Sequence, residues 1–300
     1  MKKLPNSSSG QALLLVLLSM SVVLTVVLSI LARSTLDIGV SSRSEESVRA
    51  FSAAEAGIEQ ALVGVLNAGP VDIGNATFNA SVTSYSSGVS EFILPSSLYS
   101  GESATVWFVS HDANGNLTCG DGACFRGNRI KVCWGKEGTS SSSNFTPAIE
   151  ISIVYLTTAG NYTTARIARA VVDPNDSRND TNKFSDDDGG TCTVGDQSFA
   201  FNKTIDFGNG GFEISPASVY TQVNGLQLAR ISLLYNTDMG HSVYVKVFPV
   251  GGSSLPAQGV VIESSGVSGS STRKVEVVRG FKELPGIFEP VVISYEGITK

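Results

Sequence analysis

The sequence predicts an α+β protein: a long N-terminal helix, transmembrane and then amphipathic, followed by an antiparallel β-rich head in two lobes. Three observations predict it. An uncharged Leu/Val run spans Ala12 to Ala32, apolar residues then recur at helical spacing to about residue 66, and beyond Pro70 the pattern changes to period two. The expected organisation is a short leader (1–10), a helix over 11–68, a first β-rich lobe (70–172), an acidic loop (173–198) and a C-terminal β-rich lobe (199–300).

The run 12–32 is long enough to cross a bilayer, since about 20 residues at ~1.5 Å each span a hydrocarbon core of roughly 30 Å with every backbone group satisfied internally. Lys2 and Lys3 precede it, whereas Arg33 is soon followed by acids and a long polar chain, which places the N-terminus in the cytoplasm and the bulk of the chain outside. The run exceeds an ordinary signal-peptide core, and Ser29-Ile30-Leu31-Ala32 makes no small-x-small cleavage site. A plain uncleaved anchor is the competing reading. The periodicity continues outside the span: Leu36, Val40, Val48, Phe51, Ala54, Ile58, Leu62 and Val65 fall within one stripe, with Glu45, Glu46, Arg49 and Gln60 off it. The helix is therefore expected to continue through an amphipathic stretch (33–66) that packs Leu36, Val40, Val48, Phe51, Ile58 and Leu62 on the head. Asn67-Ala68-Gly69-Pro70 stops it.

A basic leader ending in Gly10, an apolar span directly after it, and the stretch Arg49-Ala50-Phe51-Ser52-Ala53-Ala54-Glu55-Ala56-Gly57-Ile58-Glu59 together resemble the PilX N-terminal family of type IV pilus assembly proteins. They also resemble the K-type minor pseudopilins of type II secretion. The resemblance covers roughly the first 66 residues. It implies cleavage between Gly10 and Gln11 by a prepilin peptidase, methylation of the new terminus, and packing of the span, including Leu13, Leu14, Leu15, Val16, Leu17 and Leu18, in a filament core. The implied partners are other pilins or pseudopilins, the prepilin peptidase, an inner-membrane assembly platform and the lipid bilayer. The implied location is the cytoplasmic membrane, single-pass, and then an extracellular filament. Major pilins carry Phe or Met at the first mature position and Glu at the fifth; this chain has Gln11 and Leu15. Leu15 cannot make the charge pair ascribed to that glutamate, which points to a minor, tip or initiating subunit.

In the head, Ile130, Val132 and Trp134 alternate with Arg129, Lys131 and Cys133, and Ile149, Ile151, Ile153 and Tyr155 alternate with Glu150 and Ser152, as half-buried antiparallel strands do. Further strands are expected over 78–83, 91–94, 105–109, 166–172, 230–235, 243–248, 260–263, 274–279 and 291–295. Gly251-Gly252-Ser253-Ser254 and residues 264–271 read as flexible turns or edges. Between the lobes, 173–190 holds six aspartates against Arg178 and Lys183, and reads as a polar loop.

Counting 21 basic against 27 acidic residues gives a net charge of −6, with no footprint for nucleic acid. All four cysteines follow the span, an even number that suits disulfides outside the cytoplasm. Three pairings are possible, and Cys119 with Cys124 plus Cys133 with Cys192 is preferred. Zinc is disfavoured because four, eight and 58 intervening residues lack two short pairs. No cofactor is expected, although Asp112, Asn114 and Asn116 offer alternating oxygens as a weak calcium candidate, and the 173–188 stretch is another. With only His111 and His241, and Ser271-Thr272-Arg273-Lys274 as an isolated S-x-x-K match, a non-enzymatic role is expected. The functional expectation is a minor pilin or pseudopilin. A membrane-anchored extracytoplasmic adhesin or binding module is the alternative, which exposed aromatic side chains on the C-terminal lobe would favour.

Overall fold

The computed structural model describes residues 9–64, 69–120 and 124–283. In chain order it contains the helix α1 (Ser9–Leu62) and strands β1 (Val71–Ile73), β2 (Ala76–Tyr85), β3 (Glu91–Ile93), β4 (Ser103–Trp107), β5 (Ser110–His111), β6 (Leu117–Thr118), β7 (Gly127–Lys136), β8 (Ala148–Leu156) and β9 (Ala165–Val172). Helix α2 (Asp176–Asn182) follows, then β10 (Cys192–Val194), β11 (Gln197–Asp206), the short α3 (Ser218–Thr221), β12 (Leu226–Leu234), β13 (Val243–Pro249), β14 (Gly259–Ser268) and β15 (Ser271–Gly280). A long apolar N-terminal helix thus precedes an antiparallel β-rich region of several sheets, an α+β architecture.

The chain divides into two compact units, one of residues 1–82 with 262–277, the other of 83–261 with 278–300. The first contains α1 and the four-stranded sheet β1-β2-β14-β15, whose strands come from both ends of the β-rich region. The second is inserted in the sequence between β2 and β14. It is a sandwich of a five-stranded sheet, β10-β11-β7-β13-β3, and a four-stranded sheet, β4-β12-β8-β9. One core joins them: Ile130, Val132, Trp134, Val243 and Val245 from the first meet Ile149, Ile151, Ile153, Ala229, Ile231 and Leu233 from the second. The buried Trp134 indole donates to the Pro147 carbonyl at 2.7 Å, so its one polar atom is satisfied.

This arrangement replaces the expected lobes at 70–172 and 199–300. Strands from either side of the acidic segment lie in the same sheets: β7 sits between β11 and β13, and β8 pairs with β12 from Ala148↔Leu234 to Tyr155↔Leu226. Period-two alternation identifies the inward side chains but not the partner strand, and the partners here are distant in sequence. The segment 173–198 is also not simply a loop, since it contains α2, β10 and the start of β11. The strand expected over 291–295 lies outside the described residues.

Residues 264–271, expected as a flexible turn or edge, instead continue the inner strand β14 to Ser268, and only Gly269-Ser270 turns the chain into β15. Their small size serves packing. Ile262, Ser264, Gly266 and Ser268 are all buried and alternate along one face of β14.

Candidate assembly surface

Helix α1 is unbroken from Ser9 to Leu62, 54 residues or roughly 81 Å at ~1.5 Å per residue. It is long and apolar enough to cross a membrane. Gly10 and Gln11 lie in its first turn, and Leu13, Leu14, Leu15, Val16, Leu17 and Leu18 are exposed all round it. A helix apolar on every side and covered by none of the described residues of its own chain needs lipid or other apolar helices around it.

The C-terminal part of α1 packs on the sheet of its own unit through small side chains. Ala50, Ala53, Ala54, Ala61 and Ile58 are buried, and Gly57 lies among them. They face Ala76, Phe78 and Ala80 of β2 and the small residues of β14. Two glycines set the approach. A Cβ on Gly266 would lie 2.6 Å from the Ala54 amide nitrogen and against the Ala50 carbonyl, and one on Gly57 would lie 2.7 Å from Phe78 Cδ2 and against Ser264. Polar ties flank the contact: Glu46 Oε2 accepts from the Ser270 amide and hydroxyl, both at 3.0 Å, and Arg273 donates to Ser47 Oγ at 2.9 and 2.7 Å. These Ser270 hydrogen bonds, the backbone one foremost, hold the Glu46 carboxyl below its ordinary pKa.

The expected packing stripe is therefore corrected. Of Leu36, Val40, Val48, Phe51, Ile58 and Leu62, only Ile58 is buried; Val48 is 63% and Phe51 45% exposed. The sheet takes a face roughly 100°, about one residue, around the helix, because closely packed backbones select the small residues rather than the large ones. Alanine at 50, 53, 54 and 61 with Gly57 was the readable signal. The large residues are left as an open stripe that continues the apolar span, with Glu55 also exposed upon it. Glu45 and Arg49 pair along the helix, both largely exposed.

The remaining candidates resolve as supports. The cysteines form Cys119–Cys124, closing a short loop, and Cys133–Cys192, fastening β10 to β7 with Cα atoms 6.1 Å apart. Asp112 Oδ1 accepts from the amides of Asn114 and Asn116, both at 2.8 Å, while Oδ2 accepts from Asn116 Nδ2 at 3.1 Å, so the loop's own donors occupy the carboxylate. Among the described residues no group of three His, Cys, Asp or Glu side chains could hold a metal. Buried Asp173 is gripped by Arg178 at 2.7 and 3.0 Å and by Asn182 at 2.9 Å. His241 Nδ1 accepts from the Lys136 amide at 3.0 Å, and burial lowers the pKa of that histidine. Lys274 of the S-x-x-K match pairs with Glu263 at 2.8 Å on the sheet surface.

Comparison with protein-family models, curated proteins and solved structures finds no match to this chain.

Proposed function

We propose that this chain is a minor pilin or pseudopilin, a structural subunit of a type IV pilus-like filament that works at the tip or in initiation. The observation that carries the reading is the two-faced helix. A single helix runs from the apolar span into the head, gives its small-residue face to its own sheet, and keeps Leu36, Val40, Val48, Phe51 and Leu62 uncovered by the described residues. Exposed apolar surface continuous with a membrane span suits a subunit that leaves lipid for the company of like helices, since the same stripe is solvated by lipid before assembly and by neighbours after it.

In this reading the N-terminus begins in the cytoplasm and the β-rich region lies outside, where both disulfides persist. A prepilin peptidase removes residues 1–10, and assembly proceeds on an inner-membrane platform with other pilins. Leu15 supplies no carboxylate in the span, and such a subunit has no charge to offer a terminal amine of a neighbour. That fits a position at one end of a filament better than a repeating one.

Intact mass and N-terminal sequencing of the protein from membranes, with and without active prepilin peptidase, test the reading. A peptidase-dependent start at Gln11 is expected. A start at Met1 in both strains refutes it and leaves a simple anchor.

A further inference from the structure

We infer that one end of the inserted sandwich is a binding face for a neutral polysaccharide. Four connections meet there: 95–102, 137–147, 173–184 with α2, and 235–242. Their convergence is explicit in the hydrogen bonds. Asn236 Nδ2 donates to the carbonyls of Leu98 and Met239, both at 3.0 Å, and the Tyr235 amide donates to Ser100 Oγ at 3.1 Å. Arg178 of α2 reaches the carbonyls of Asn144 and Thr146 at 3.0 and 2.7 Å, and its guanidinium lies 4.1 Å from the centre of the Tyr235 ring.

Of the four exposed aromatic side chains among the described residues of this unit, Tyr99, Phe145 and Tyr235 stand here, with exposed Met239 beside them. Around them the sequence is rich in hydroxyls, amides and glycine, as in Ser140-Ser141-Ser142-Ser143-Asn144. Rigid aromatic planes among small adaptable hydrogen-bonding groups form the composition of a recognition surface, giving large contact area at low entropic cost. The face is also preorganised: the buried Asp173–Arg178 pair fixes α2, and the Tyr99 amide donates to Glu102 at 2.9 Å.

Charge selects the ligand class. Arg178 is committed to Asp173, and the other acids at this end, Glu102, Glu137, Asp176, Asp180 and Asp238, outnumber Lys136 and Lys183. An anionic polymer is repelled. Exposed rings set among hydroxyls, Tyr99 and Phe145 foremost because Arg178 lies over one face of Tyr235, match sugar rings, which alternate C–H faces with hydroxyl rims, better than the contiguous apolar centre of a protein partner. The inference holds whether the anchored chain works alone or in a filament.

The test is affinity electrophoresis of the detergent-solubilised full chain through gels containing hydroxyethylcellulose, soluble starch, laminarin or galactomannan, with alginate and gelatin as anionic and protein comparisons. Retardation by at least one neutral polysaccharide is expected, weakened by roughly tenfold or more in Y99A/F145A and unchanged in Y162A, whose aromatic ring is exposed elsewhere. Both substituted rings are about half exposed, so the thermal midpoint of Y99A/F145A should match that of the parent. Should the double variant not fold, the single variant Y99S carries the same expectation. No retardation by any neutral polysaccharide, or retardation indifferent to these substitutions, overturns the inference. A Tyr99-dependent interaction with gelatin alone overturns it in favour of a protein ligand, and preference for alginate overturns the charge argument.

Discussion

At the scale of single residues, the helix–sheet contact is controlled by atoms that are missing. Gly266 has room for a hydrogen and nothing more, because the Ala50 carbonyl and Ala54 amide of α1 occupy the place of a side chain. Gly266→Val must push the helix off the sheet, and is expected to cost about 1–3 kcal/mol, read as a lowered unfolding midpoint. Gly280→Ala, with nothing within 4 Å of the added carbon, is the matched control and should change little. A second residue-scale expectation concerns pH. Glu46 has a depressed pKa in the folded chain because its carboxylate accepts two hydrogen bonds from Ser270. Its contribution to stability is therefore complete above the unfolded glutamate pKa and disappears as pH falls through the lower, folded value. Unfolding midpoints measured from neutral pH into the acid should show a shallower decline for Glu46→Gln than for the parent. None of this was visible in a pattern that ranks residues by hydrophobicity. Large apolar residues mark a stripe well, yet where two backbones approach closely the buried face is written in Ala, Gly and Ser, which such a ranking passes over.

At the scale of elements, the same lesson explains which strands were legible. β7 and β8 carry alternation of branched or aromatic residues against polar ones and, with β13, were expected close to where they occur, whereas β12 was expected only over 230–235 and begins at Leu226. β11 was not, because Asn202-Lys203 interrupts Phe199, Phe201 and Ile205. β14 was cut short for its serines and glycines, of which Ser264 and Gly266 face the helix. The acidic segment hid its organisation because six aspartates suggest solvent, whereas one of them, Asp173, is fully buried and recruits Arg178, Asn182 and the Asn175 amide. Arg178→Ala leaves that carboxylate without its cation, and is expected to cost about 3–5 kcal/mol in chemical denaturation. Arg178→Lys should recover only part of this, because an ammonium cannot span both carboxylate oxygens while also reaching the Asn144 and Thr146 carbonyls. The two disulfides act at this scale too. In the chain-entropy account, opening Cys133–Cys192, with a sequence separation of 59, costs about 4 kcal/mol, against about 2 for Cys119–Cys124, separation 5. Single Cys-to-Ser pairs compared by unfolding midpoint should rank in that order.

At the scale of the whole molecule, the decisive property is that one helix has two kinds of face, and each makes a different demand. The small-residue face is satisfied within the chain, so damage to it is damage to folding. The stripe of Val40, Val48, Phe51 and Leu62 is not covered by the described part of its own chain, so damage there spares folding and shows only where a neighbour is required. The proposed filament role thus predicts a dissociation of phenotypes. Val48→Asp with Phe51→Asp adds charge to an already exposed surface and should leave the unfolding midpoint of the detergent-solubilised chain close to that of the parent. In cells it should abolish recovery of the protein in sheared filament fractions, because two carboxylates cannot be desolvated between apolar helices. Ala54→Leu should do the reverse, lowering the midpoint by forcing helix and sheet apart, with the protein lost from membranes before assembly can be scored. Normal entry of the Asp pair into filaments would mean that the open stripe is not an assembly surface, and the helix would then function as an anchor alone.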